Sequence, residues 1–347
     1  MVNRLNMIQK TVMSLILSAM VISVVVPIVF FLSVSFSNDF EMNEFPKKLI
    51  PSTSVTVKVA PADQGMYEIF YNNGEGYRSI ITTGNPIKLE TFFNRQYAVT
   101  IPGDELLEKF SKTKENGPME FTLKKDMLYN FKQFFTIATK AKSSLVNSIL
   151  VSVYTIIISL TIGSLAGYAM ARFNFKFKET INVTLLIVRM FPVVGISIPM
   201  AILLINIGLF DTLWGLAILY SIPNIALTAW ITSSIFVGIN KELEEASYIF
   251  GANSFQTFMK ITLPLAFPAL AASSMYAFLT AWNDTISALI LTDQNQTLAL
   301  VVYKAIGTSS SSLQYAAAGS LILIIPALVF TFIVRKYVNQ MWGGVEV

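Results

Sequence analysis

The chain has 347 residues, of which 54% are apolar and only 13% charged. Soluble domains use roughly 45–50% apolar and 25% charged residues, so the composition is that of a membrane protein. Histidine and cysteine are both absent, which excludes Ser-His-Asp triads, thiol nucleophiles, disulfide frameworks and zinc sites. The net charge of +4 is spread over short flanks, and without a clustered basic face there is little to support nucleic-acid binding.

A helix that crosses a bilayer needs about 20 consecutive apolar residues. Six charge-free stretches reach that length: Thr11–Asn38, Ser143–Ala171, Met190–Phe210, Thr212–Asn240, Ile261–Asn283 and Ala305–Val334. The first is longer than a signal-peptide core and lacks a clear small-x-small cleavage site, so it reads as a retained anchor. Lys and Arg in short loops stay on the cytoplasmic side. With residues 1–10 inside, Arg4, Lys10, Arg172, Lys176, Lys178, Lys241, Lys260, Arg335 and Lys336 all become cytoplasmic, and only Lys304 falls in a short outer loop. Both termini are then expected in the cytoplasm, and residues 39–126 outside the cell membrane.

That outer segment is a polar island. Between Ser37 and Lys140 lie 26 of the charges, 13 basic and 13 acidic. Val55, Val57 and Val59 alternate with polar neighbours, as do Tyr67, Ile69 and Tyr71, and period two indicates strands with one buried face. Asn72–Gly76 reads as a hairpin loop into a strand at Tyr77–Thr82, with Gln96–Ile101 a further strand candidate. Asp104–Lys112 reads as a short helix capped by Asp104. The expectation is a β-rich domain that docks a protein and binds no sugar, with the alternating tyrosines Tyr67, Tyr71 and Tyr77 in its sheet core. Next, Tyr129–Ile137 puts Phe131, Phe134 and Phe135 on one helical face, a stripe suited to interfacial packing.

Residues 127–338 hold the remaining spans. Arg189 is an ionisable residue inside an apolar region, where such groups face a cavity, a partner or the interface. Met190-Phe191-Pro192 and Pro199 are expected to kink the third span. The cytoplasmic loop 241–264 has the make-up of two short helices: Glu242, Glu244 and Glu245 suit a helix N-terminus, Gly251 permits a left-handed stop, and Asn253 or Ser254 can cap the next helix. There Phe255, Phe258 and Met259 are expected to share a face, and Pro264 to begin a new helix. Further on, Trp282, Asn283 and Asp284 combine a flat ring with amide and carboxylate acceptors, a mixture that suits a sugar. No G-x-x-x-x-G-K-[ST] motif occurs, so this chain cannot itself hold a nucleotide by that device.

The spacing Glu245-Ala246-Ser247, Gly251, then Ile261-x-Leu263-Pro264 resembles the EAA loop of permease subunits of binding-protein-dependent ABC importers. Asn147-Ser148, Tyr168 to Phe173, Arg189 to Pro192, Phe278 to Leu291 and Gly343-Gly344-Val345 are similar to the MalG-like permeases of carbohydrate importers. Two departures stand out: Ser247 replaces a common alanine, and Phe250 a common aspartate. The resemblance implies an all-α membrane protein of six transmembrane helices in a bacterial inner membrane, with the β-rich domain inserted between helices 1 and 2. It implies a second permease completing a heterodimeric pore, two ATPase subunits that bind ATP and Mg, and an extracytoplasmic solute-binding protein. No cofactor is expected in this chain. Glu245, Ala246, Ser247, Gly251, Ile261, Leu263 and Pro264 would couple to the ATPase, the tail 339–347 would reach it, and Trp282, Asn283, Asp284 and Arg189 would line the solute path. The implied substrate is a malto-oligosaccharide or another di- or oligosaccharide, with glycerol-phosphate or polyamine import as the alternative and an ATP-independent secondary transporter behind it.

Overall fold

The structure, a computed structural model, describes residues 7–43, 49–72, 76–306 and 312–338. Arg4 and the tail 339–347 therefore lie outside the described residues. The described residues are mostly helical, with one small antiparallel sheet among them. The chain divides into two compact units, Met1–Ile137 with Ala305–Leu321 and Ala138–Lys304 with Ile322–Val347.

In the first unit, helix α1 (Met7–Phe36) is apolar on all sides and leaves its large side chains from Val12 to Leu32 exposed, as a lipid-facing helix does. The sheet follows: β1 (Ser54–Pro61), β2 (Tyr67–Asn72), β3 (Tyr77–Thr83) and β4 (Met119–Lys124), in the order β3-β2-β1-β4 with every pair antiparallel. Its inner face carries Val55, Val57, Val59, Tyr67, Ile69 and Leu123. Against them pack Leu89, Phe93 and Tyr97 of α2 (Pro86–Tyr97), with Leu106 and Phe110 of α3 (Gly103–Ser111). Where a β-rich segment was expected, the sheet is thus covered by helices.

Several local expectations change here. Gln96–Ile101 forms no strand: α2 runs through Tyr97 and stops at Ala98, which adopts φ 56°. Asn85 starts that helix by accepting the N–H of Ile87 and Lys88 at 2.9 and 3.2 Å. Asp104 is not a cap, because Pro102 holds the cap position and Asp104 lies in the first turn. Tyr77 is 41% exposed and hydrogen-bonds Glu120, so it belongs to the outer face of the sheet. In α4 (Tyr129–Ile137) the aromatic stripe packs within the protein, Phe131 against Phe36 and Phe134 against Gly319. Asn130 ties the end of α1 by donating to the carbonyls of Ser35 and Ser37 at 2.8 and 2.7 Å. Nearby, Lys125 Nζ reaches the Phe36 carbonyl at 2.8 Å and Glu41 Oε2 at 2.6 Å.

The second unit is built on α5 (Ala141–Arg172), α6 (Lys178–Met190), α7 (Val193–Asn206) and α8 (Leu213–Gly238). Helices α5 and α8 touch backbone to backbone: a Cβ on Gly167 would lie 2.1 Å from Thr232 Oγ1 and 2.8 Å from the Ala229 carbonyl. The third apolar stretch is not one straight helix. Between α6 and α7 the axis turns by 95° at Phe191 and Pro192, where the proline lacks an N–H and holds the residue before it extended. Pro199 lies inside α7 without ending it. A second bend, of 76°, separates Ser254–Leu265 from α10 (Phe267–Asn283), which succeeds α9 (Lys241–Ile249). The last stretch is carried by α12 (Ser312–Val338), which α11 (Leu298–Ile306) precedes. Among the described residues 4 helices are by themselves long and apolar enough to cross a membrane, and the count reaches 6 if each bent pair is one span.

The turn before α8 is fastened to the loop before α11. Asp211, at φ 54°, accepts the backbone N–H groups of Asp293, Gln294 and Asn295 at 2.9, 3.0 and 3.1 Å. Asn147 and Ser148 of α5 hold the same loop, one donating to the Gln296 carbonyl and the other accepting the Leu298 N–H.

Candidate functional site

The segment 241–265 forms an elbow whose inside holds paired polar groups and whose outside exposes Ile249, Phe250 and Phe255 among charged residues. Asn240 caps α9 by accepting the Glu242 N–H. One turn later Glu244 points inward, with 7% of its side chain exposed, and meets Arg172 at the end of α5. Its Oε1 accepts from Arg172 Nε at 2.9 Å and from the Thr262 hydroxyl at 2.9 Å, while Oε2 accepts from the Tyr168 hydroxyl at 3.2 Å. Arg172 also donates to the Ile239 carbonyl at 3.2 Å. A buried carboxylate needs this full set of donors to offset its desolvation.

Gly251 ends the helix at φ 85°, with Ala252 N–H returning to the Ser247 carbonyl at 3.0 Å. The chain then restarts at Ser254–Thr257 under a capping box of Asn253 and Gln256. A π-helical turn, Phe258–Thr262, carries it to the short helix Leu263–Leu265. Such turns occur often at functional sites. Two cross-links hold the elbow closed, Glu244 to Thr262 and Ser247 Oγ to Thr257 Oγ1 at 2.6 Å. Beneath them Phe236, Phe258 and Ala266 form an apolar cluster with Tyr168 and Leu263, in which the Tyr168 and Phe258 rings lie 4.9 Å apart.

Of the residues singled out in the sequence, Glu245 and Ala246 are exposed, whereas Ser247 is buried in the elbow. Ile261 and Leu263 are half-buried and Pro264 is exposed. Phe258 does not share a face with Phe255 and Met259: it is 5% exposed against their 69% and 44%. The π-helical turn changes the angular step that an α-helical reading assumes. Sequence reasoning passed over Glu244, Arg172 and Thr262 as site residues. Their signal was an acidic residue three before Ser247 on one helical face, together with an arginine closing the preceding long helix.

Residues 159–342 match the family model of the binding-protein-dependent transport system inner membrane component. The chain belongs to this family. Over 198 residues it is 34% identical to the trehalose transport system permease protein SugB of Mycobacterium tuberculosis, covering 56% of this chain and 72% of that one. It is 26% identical over 219 residues to the maltodextrin transport system permease protein MalD of Streptococcus pneumoniae, covering 62% and 78%. In fold it resembles a chain of a bacterial ABC transporter involved in the import of the acidic polysaccharide alginate, at TM-score 0.60 and 18% identity, with 95% of this chain and 96% of that one covered. The family match contains the whole elbow, and this permease subunit is a multi-pass membrane protein.

The four residues offered for a solute path are not gathered on one surface. Trp282 is wholly buried, donates its indole N–H to the Leu323 carbonyl at 3.0 Å and stacks on Phe278. Asp284 accepts from the Tyr220 hydroxyl at 2.8 Å and from the Ser287 and Ala288 N–H groups, starting the short helix Ile286–Leu291. Asn283 and Arg189 are exposed.

Proposed function

We propose that this permease is a transmembrane subunit of an ATP-driven carbohydrate importer, the substrate being a di- or oligosaccharide of the trehalose or maltodextrin kind. The observation that carries the reading is its 34% identity to a trehalose permease, supported by the maltodextrin permease beside it. Counting each bent pair as one span, the chain crosses the membrane six times. The Lys/Arg distribution supports both termini in the cytoplasm and residues 39–126 outside. A second permease completes the pore, two ATPase subunits hold ATP and Mg, and a solute-binding protein delivers the sugar.

In this reading the elbow is the contact for the ATPase. Ile249, Phe250 and Phe255 are 85%, 90% and 69% exposed, an apolar ridge on a polar scaffold that a partner's groove would cover. Glu245 and Ala246 flank the ridge, Gly251 makes its turn, and Ser247, Ile261, Leu263 and Pro264 hold its shape. Asn283 and Arg189 are the proposed solute-path residues. The test is uptake by proteoliposomes holding the reconstituted complex, with ATP and labelled trehalose or maltotriose. ATP-dependent sugar uptake that fails when this subunit is omitted is expected. Uptake of glycerol-phosphate or a polyamine in its place would overturn the substrate class.

A further inference from the structure

Helix α1 is gripped at one end. Residues 9–32 are exposed throughout, whereas Ser33, Val34, Ser35, Ser37 and Asn38 are all buried. The last carbonyls of a helix have no partner within it, and here side chains from beyond the sheet supply them. Asn130 of α4 donates to the carbonyls of Ser35 and Ser37, and Lys125, which follows β4, donates to that of Phe36. Lys125 is itself buried, with Glu41 Oε2 as its counter-ion. The same Glu41 oxygen accepts the Asn38 N–H at 3.0 Å, and Asn38 Nδ2 donates to the Tyr97 carbonyl at the end of α2 at 3.4 Å. A buried ammonium that loses its partners is strongly destabilising, so this joint resists slipping.

A second joint takes hold of the start of α12. Gln314, buried, donates to Asp39 Oδ1 at 2.9 Å, and Tyr315 hydrogen-bonds Tyr129 of α4. Ala316, Ala317 and Ala318 are buried, and a Cβ on Gly319 would lie 2.6 Å from the Phe134 ring. Small residues of this kind let a helix approach its neighbour closely. Both joints lie wholly within the first compact unit and use residues that the coupling and solute-path assignments do not. An appended docking module needs only to be tethered at its two ends; two buried, hydrogen-bonded joints do more than tether.

We propose that the sheet domain is the mount of the first membrane helix: through Lys125, Asn130 and Asp39 it fixes the end of α1 and the start of α12 into one rigid body. The experiment uses the full chain in lipid nanodiscs and pulsed EPR. Because the chain has no cysteine, spin labels attach only at Glu108→Cys on α3, paired with either Leu32→Cys on α1 or Leu313→Cys on α12, three exposed positions. Each pair should give one narrow distance in the subunit alone. In the complex with an ATPase, both distances should stay within about 2 Å of those values with and without ATP. Lys125→Met with Asn130→Leu removes all three bonds to the last carbonyls of α1, and should at least double the width of the Glu108–Leu32 distribution while Glu108–Leu313 stays narrow. If that variant misfolds, the labelled chain with Lys125 and Asn130 intact still decides. A broad Glu108–Leu32 distribution in that chain, a larger shift of either distance with ATP, or a width untouched in the folded variant would overturn the proposal. The measurement on the subunit alone involves no transport, so the mount and the importer function fail separately.

Discussion

Arg172 and Glu244, 72 residues apart in sequence, meet as a buried ion pair at 2.8 Å with each side chain 7% exposed. The pair fixes the end of α5 to the first turn of the elbow. Removing one partner of a buried pair costs about 3–5 kcal/mol, because the other is left uncompensated. Arg172→Ala should therefore lower the thermal unfolding temperature of the solubilised subunit, and the apolar double variant Arg172→Met with Glu244→Leu should recover most of the loss. A single variant that melts like the wild type would refute the structural role of the pair.

Phe250 is 90% exposed and supports nothing within this chain. Phe250→Lys should leave the unfolding temperature of the isolated subunit nearly unchanged, since surface substitutions usually stay within about 0.5 kcal/mol. The same change puts a charge where an apolar groove is expected, and co-purification of the ATPase should fall severalfold. Full recovery of the ATPase would remove the ridge as its docking surface.

Gly251 can be tested through its backbone alone. An added Cβ would meet nothing within 4 Å, but φ 85° is a conformation that side chains avoid. The left-handed region costs a residue other than glycine about 1–2 kcal/mol, and asparagine least. Gly251→Val should depress substrate-stimulated ATP hydrolysis in the reconstituted complex while membrane insertion persists, and Gly251→Asn should retain most of it. Equal activity of both variants would show that the turn conformation does not matter for coupling.

Asp211 makes stability on the other side of the second unit depend on pH. Partial burial pushes its carboxyl pKa up, but the three backbone N–H groups of Asn295, Asp293 and Gln294 outweigh that and hold it below its ordinary value. A carboxylate depressed in the folded state stabilises fully above its unfolded pKa of about 3.9, and that stabilisation is lost as pH falls through the depressed value. Hydrogen exchange at Asp293, Gln294 and Asn295 should therefore lose protection, relative to intrinsic rates, only below about pH 4. Asp211→Asn tolerates the left-handed backbone yet lacks the charge, and should show the loss already at neutral pH. Unchanged protection in that variant would mean the loop is held by Asn147 and Ser148 instead.

The apolar stretches, the alternation at Val55–Val59 and Tyr67–Tyr71, and the spacing from Glu245 to Pro264 could all be read directly, because membrane burial and strand pleating impose short periods on neighbouring residues. The family followed from those spacings. What could not be read depended on contacts between distant residues. Asn85 starting a helix that runs through Gln96 and Tyr97, where a strand was expected, is a case of core packing by Leu89 and Phe93 overriding a short apolar run. The bend at Pro192 was legible in Met190-Phe191-Pro192, because a proline inside an apolar run interrupts the helix, whereas continuous hydrophobicity hid the bend before Phe267. The inward turn of Glu244 toward Arg172, with Glu245 left outside, was beyond a linear reading of two adjacent glutamates. Their difference of one helical step, about 100°, acquires meaning only when α5 and the π-helical turn deliver the donors that make burying one carboxylate affordable.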